Sequence, residues 1–202
     1  MSRRLTPLLP SAMAPEARRL YRSMVAARTG LSEVAAVVGP AGELLGPFDA
    51  LLRSPAIGDA VQRVGTALRQ ESTLPREATE TAILTVAAHW RASYEWYAHE
   101  AVAASSGLLS RDDLDRLRLG LPPAGSDTCQ ATWRFVSRVV ADGSVDDATY
   151  ARLAAALGER GVVELVLLVG YYSLLAVVLK AFGVGTPAGV EDPFGEQPGG
   201  DR

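Results

Sequence analysis

Thiols are nearly absent from this chain. Cys129 is the only cysteine in 202 residues, so neither an internal disulfide nor a Cys-x-x-Cys redox pair can form. Lysine is as scarce: Lys180 stands alone among 20 basic residues, the rest being arginine. With a net charge of −3 and no long basic stripe, the chain lacks the cationic field that nucleic acid requires. Two histidines are too few for a His-rich metal site. Neither a Gly-rich phosphate loop, a dinucleotide fingerprint nor a Gly-x-Ser-x-Gly elbow occurs. No apolar run of signal-peptide length follows MSRRLTPLLP before Pro10 and Pro15 intervene, and the expected location is the cytoplasm.

What is present suits one buried core. Hydrophobic residues make up 48% and charged residues 21%, which is ordinary globular usage at a single-domain length. Residues 1–30 hold arginines at 3, 4, 18, 19, 22 and 28 against Glu16, and read as a loose arm followed by a short amphipathic helix. Residues 31–184 form the main domain, and 185–202, rich in Gly, Pro and acid, read as a mobile tail.

Within the main domain the fold class is all-α. Gly-Pro at 39–40 and 46–47 forces turns around a short extended piece within 34–48. Ser54-Pro55 opens a helix over 55–70. The run after Pro75, REATETAILTVAAHW, has helical apolar spacing without glycine or proline. Ser93 is positioned to cap a helix from Tyr94 to Gly107. Ser110 to Asp113 and Ser144 to Asp147 fit capping boxes that open short helices, and 128–141 is amphipathic. The segments RVGTALRQ…ETAILTVAAHW and RVVADGS…VELVLLVGYY outline an internal helical repeat. The apolar run 162–184 approaches bilayer length, but Glu164, Lys180 and a central GYYS favour a core or subunit-shared helix over a membrane span.

The chemistry gathers at YEWYAHEA, residues 94–101. Glu95 and His99 lie one helical turn apart on one face. An exposed pair of this kind contributes a few tenths of a kcal/mol and no chemistry. Here, however, Trp90, Tyr94, Trp96 and Tyr97 concentrate aromatics that total only 6% of the chain, as the wall of a partly apolar pocket would. Glu95 also falls in a first helical turn, where free N–H groups favour a carboxylate. Glu80 shares its stripe with Ile83, Leu84 and Ala87, and a carboxylate facing the core needs a partner or a proton. His99 is that partner if the second helix folds back on the first. His89 reads as a packing or capping residue, or at most a substrate contact, and Cys129 as a small core residue. The spacing Glu-x-x-x-His differs from the Glu-x-x-His of di-iron bundles, so no metal is expected.

From GPFDALLRSP through LPREATETAILTVAAHW and SYEWYAHEAVAASSGLLS to VELVLLVGYYSLLAVVL, the chain resembles the carboxymuconolactone decarboxylase family of the AhpD-like superfamily. The likeness spans about residues 40–184 and is most specific in its E…YEW..H…A…G core. AhpD-like peroxidases carry Glu-x11-Cys-x-x-Cys-x3-His; here Glu80 and His99 keep the frame while Ala92 and Glu95 stand at the cysteine positions. Thiol peroxidase chemistry is thereby lost. The resemblance implies an AhpD-like helical bundle, a homo-oligomer (trimer or hexamer), and an enzyme acting without cofactor on a small lactone or other activated carbonyl compound. It implies His99 as proton donor, Glu95 as its partner or the base, and Glu80 as the orienting group, with Trp90, Tyr94 and Trp96 shaping the pocket. Decarboxylation is the first expectation. Isomerisation, dehydration and a non-catalytic scaffold are the alternatives, with neither nucleic acid nor membrane as partner.

Overall fold

A computed structural model of the chain describes residues 3–27 and 37–195. Arg28, the start of the expected extended piece (34–36) and tail residues 196–202 lie outside the described residues. The protein is all-α, as the helical spacing predicts. Its helices are α1 (Pro15–Ala26), α2 (Phe48–Leu51), α3 (Pro55–Gln70), α4 (Arg76–Trp90), α5 (Ser93–Ser105), α6 (Arg111–Arg118), α7 (Asp127–Asp142) and α8 (Asp147–Phe182). Among its described residues the extended piece reduces to one antiparallel bridge, Val38 to Leu44.

α4 is the central element. Nearly every residue from Ala78 to Ala87 is buried, because α5, α6, α7 and α8 all pack on it. Burial of side chains such as Ile83, Leu84 and Val86 contributes about 1.5–3 kcal/mol each. One core joins α4 to α7 and α8 through Phe135, Leu153, Leu165 and Leu175. A second, around Trp96 and Leu114, joins α4 and α5 to α6 and α7. The N-terminal helices enclose a third around Met24, Leu44 and Leu52.

Helix ends follow local chemistry, with two departures. Ser110 forms the expected capping box with Asp113. Near 144, however, the cap is Asp146, whose side chain accepts the Thr149 N–H at 2.8 Å. The helix that follows is long rather than short. It is interrupted at Gly158, whose φ of 69° and ψ of 169° suit glycine and separate the apolar second part from the first. Ser93, expected to cap α5, lies inside it, with Ala92 at the cap.

The two terminal segments are tied down more than their composition suggests. Asp49 is buried and accepts from Arg3 (3.0 Å), Arg53 (3.1 Å) and the Leu8 N–H (2.8 Å). Arg4 donates its backbone N–H to the Phe182 carbonyl and its guanidinium to that of Ala181, satisfying free carbonyls at the end of α8. At the other terminus Ser93 Oγ donates to Asp192 at 2.7 Å. Phe194 meets Trp96 edge-on at 5.6 Å, and the Arg91 guanidinium lies 5.5 Å from the same ring.

Candidate active site

α4 and α5 are joined by a two-residue reversal. Arg91 adopts a left-handed conformation (φ 49°) and its N–H closes on the carbonyls of Ala87 and Ala88. This sharp turn lays α5 back along α4, so that residues 19 apart in sequence meet. His99 Nδ1 lies 2.9 Å from Glu80 Oε2, and His99 Nε2 lies 3.4 Å from Glu95 Oε1. Both glutamates are buried. Glu95 is the third residue of α5, within the turn where free N–H groups favour negative charge.

Burial by itself lowers the pKa of His99, but the charges and hydrogen bonds of Glu80 and then Glu95 outweigh it and raise it from 6.5 to about 10. The ring is therefore an imidazolium at neutral pH, with both N–H groups directed at carboxylates. It is held further by the Tyr172 ring, edge-on at 5.2 Å. Burial, then the nearby Glu95 charge, pushes the Tyr172 phenol well above its ordinary value, so it stays a neutral hydroxyl.

The cluster forms one wall of a cavity of about 470 Å³. α3, α4, α5 and α8 each contribute to the lining, with Pro47 and Phe48 from the preceding loop and α2. Most of the surface is apolar, from Leu68, Ile83, Val102, Leu168 and Leu175. Gly65 lets α8 approach: a Cβ there would lie 2.2 Å from the Tyr171 hydroxyl oxygen. The lining also includes two exposed arginines, Arg69 and Arg76. Their hydrogen bonds are to Thr66 Oγ1 (3.4 Å) and Ser106 Oγ (3.3 Å), and among the described residues neither pairs with a carboxylate.

Of the expected site residues, Glu80, Glu95, His99 and Tyr94 meet at this cavity. Trp96, Trp90 and His89 do not. Trp96 follows Glu95 by about 100° of helical rotation; it faces the second core and donates its indole N–H to Glu100 at 3.0 Å. Trp90 ends α4 with its ring partly exposed, and His89 packs edge-on against it at 5.4 Å. His89 lies nine residues from Glu80, half a rotation away on the helix. Sequence reasoning missed Tyr171, Tyr172, Arg69 and Arg76. The signal for the tyrosines was the adjacent pair of phenols within the largely apolar run 162–184.

Cys129 is apart from this site, buried with its sulfur 3.1 Å from Thr81 Oγ1. Burial, together with the charges of Asp113 and Glu77, pushes its thiol up despite the Thr81 hydrogen bond, which disfavours the reactive thiolate. Among the described residues no group of three or more His, Cys, Asp and Glu side chains is arranged to hold a metal ion. No family model matches the chain, and no curated protein matches it.

Proposed function

We propose that the protein is a cofactor-independent acid–base enzyme of the carboxymuconolactone decarboxylase type, acting on a small carbonyl compound that bears an acidic group. The observation that carries this reading is a histidine held between two carboxylates at the wall of an apolar cavity. In such a reaction the bond to the departing carboxylate breaks and CO2 leaves. The electron pair passes into the carbonyl-conjugated system as an enolate, and a carbon atom then takes up a proton. The donor is His99 through Nε2–H, because Nδ1–H is engaged by Glu80 at the shorter distance, 2.9 Å. Glu80 is the positioning residue. The longer Glu95 contact, 3.4 Å, is the one that yields to substrate. The neutral phenol of Tyr172 and the apolar walls limit water around the developing charge, where fixed donors act more strongly than in bulk solvent. Arg69 and Arg76 suit a second acidic group of the substrate at the edge of the cavity.

Isomerisation is the second reading, favoured by the proximity of Glu95 as base to His99 as acid, since proton removal and return need both. One experiment divides the two. The purified protein is incubated with 4-carboxymuconolactone in D2O and followed by NMR, beside His99→Gln. Loss of CO2 with deuterium placed at carbon, abolished in the variant, supports decarboxylation. Deuterium exchange without loss of CO2 supports isomerisation. Equal turnover in the variant sinks both.

A further inference from the structure

One hydroxyl interrupts the apolar wall that α8 gives the cavity. Leu168, Tyr172 and Leu175 stand at helical spacing on one face of α8, and all three are buried and line the cavity. Tyr172 is 7% exposed, yet its hydroxyl has no hydrogen-bond partner among the described residues. The unpartnered side-chain atoms that are sealed from all space are Gln62 Oε1 and Thr132 Oγ1. The Tyr172 oxygen is not one of them, so it opens onto the cavity. The adjacent Tyr171 hydroxyl is turned against Gly65 of α3 instead.

Excluding water does not need that oxygen. Phenylalanine fills the same space, and a phenol hydroxyl without a partner costs free energy to bury. A ligand that brings an acceptor removes the cost. The surrounding charges decide what the hydroxyl offers in return. Burial, Glu95 from α5 and Glu80 from α4 keep it protonated against the opposing charge of Arg69 from α3, beside the His99 ring. It is a donor and not a base.

We propose that the Tyr172 hydroxyl is an oxyanion-binding donor, hydrogen-bonded to the substrate carbonyl oxygen on which negative charge develops. The assignment rests on the acid–base function proposed for the same cavity. As the bond to the carboxylate breaks and CO2 leaves, the electron pair passes to the carbonyl oxygen; the phenol proton stays on Tyr172 while its hydrogen bond strengthens. His99 Nε2–H then gives its proton to carbon, the enolate returns to a carbonyl, and His99 takes a proton from solvent. The Tyr172 and His99 rings are in contact, with centroids 5.2 Å apart, so one substrate molecule reaches both groups. The substrate therefore lies with its carbonyl oxygen toward α8 and the carbon to be protonated toward α5. Its class is restricted to compounds whose carbanion is conjugated with a carbonyl.

Two measurements on the full chain test this, one of them without turnover. In equilibrium dialysis, 4-nitrophenolate presents an oxyanion on an aromatic ring, and nitrobenzene presents the ring without it. Tyr172→Phe should weaken 4-nitrophenolate binding about tenfold or more and leave nitrobenzene binding unchanged. Tyr150→Phe, the same change at an exposed position of α8, should alter neither. With 4-carboxymuconolactone, Tyr172→Phe should lower kcat about 100- to 1,000-fold and leave KM within a few-fold, because the hydrogen bond is made in full only to the charged oxygen. Should Tyr172→Phe fail to fold, 3-fluorotyrosine placed at 172 keeps the hydroxyl, and its 19F resonance should move with 4-nitrophenolate further than with nitrobenzene. Phenolate binding that is absent or equal in wild type and Tyr172→Phe overturns the proposal, as does a fluorine resonance that responds alike to both rings. So does an unchanged kcat in a variant that has lost phenolate affinity. A wild type that binds phenolate through the hydroxyl and turns over no lactone overturns the decarboxylase reading and upholds the oxyanion site at Tyr172.

Discussion

Two buried clusters in this molecule both set acid against base, and they differ in the base they hold. Asp49 is surrounded by Arg3, Arg53 and the Leu8 N–H, all of them permanent donors, and it fastens the N-terminal arm to the body. Glu80 and Glu95 surround a histidine instead, and that histidine borders a cavity. An arginine cannot give up its proton near neutral pH, so the first cluster can only hold. Imidazolium can, so the second has a transferable proton and space for something to receive it. The contrast bears on the Glu95/His99 pair at helical spacing: what separates a chemical pair from a structural one is the partner's titration and the adjoining space.

The comparison breaks most visibly through His99→Gln. The amide can still meet Glu80, so the helical circular dichroism should persist while turnover falls about 100- to 10,000-fold, the usual contribution of a positioned general acid. Should melting collapse in step with activity, the pair is structural. Asp49→Ala should do the reverse. A loss of about 3 kcal/mol in denaturant unfolding is expected, with faster proteolysis of the N-terminal arm and unchanged turnover in the folded protein.

A smaller effect comes from Glu164, which accepts from Ser72 Oγ, the Thr73 N–H and hydroxyl, and Arg160. Partial burial opposes ionisation there, but these donors bring its pKa from 4.5 down to about 2. Because the folded value is the lower one, the stabilisation is present above pH 4.5 and lost as pH falls toward 2. Glu164→Gln should cost about 1–2 kcal/mol at pH 7, with the difference from wild type shrinking in acid unfolding series. Smallest of all, Cys129→Ser should leave turnover unchanged, since the thiol is buried against Thr81; abolished turnover would return a redox role to consideration.

Much of the helical layout was legible because it rests on local chemistry. The span 55–70 and the capping box at Ser110 agree with the observed elements, and 128–141 falls one residue inside α7 at each end. Glu80, Glu95 and His99 could be grouped because spacing on two helices and the cost of a lone buried carboxylate both pointed to one partner. What failed depended on helical phase or distant chain. Trp96 was grouped with Glu95 for being adjacent, yet adjacency on a helix means different faces. Ser144 resembled a cap, but Asp146 two residues later offered the acceptor. Tyr172 and Arg69 reach the cavity only through the packing of α8 and α3, and Asp49 acquires its role only when Arg3 and Leu8 fold over it.

His99 should be an imidazolium at neutral pH, and its ring nitrogens report that state directly. In a His89→Gln background a single imidazole remains, and its 15N shifts can be followed from pH 5 to 11. Since the folded pKa is the higher one, stabilisation from the cluster should be complete below about 6.5, decline above it, and be gone once pH passes about 10. Both nitrogens should stay protonated through pH 8, and one of them should lose its proton near pH 10. A ring that titrates near 6.5, leaving a neutral tautomer at pH 8, would contradict it.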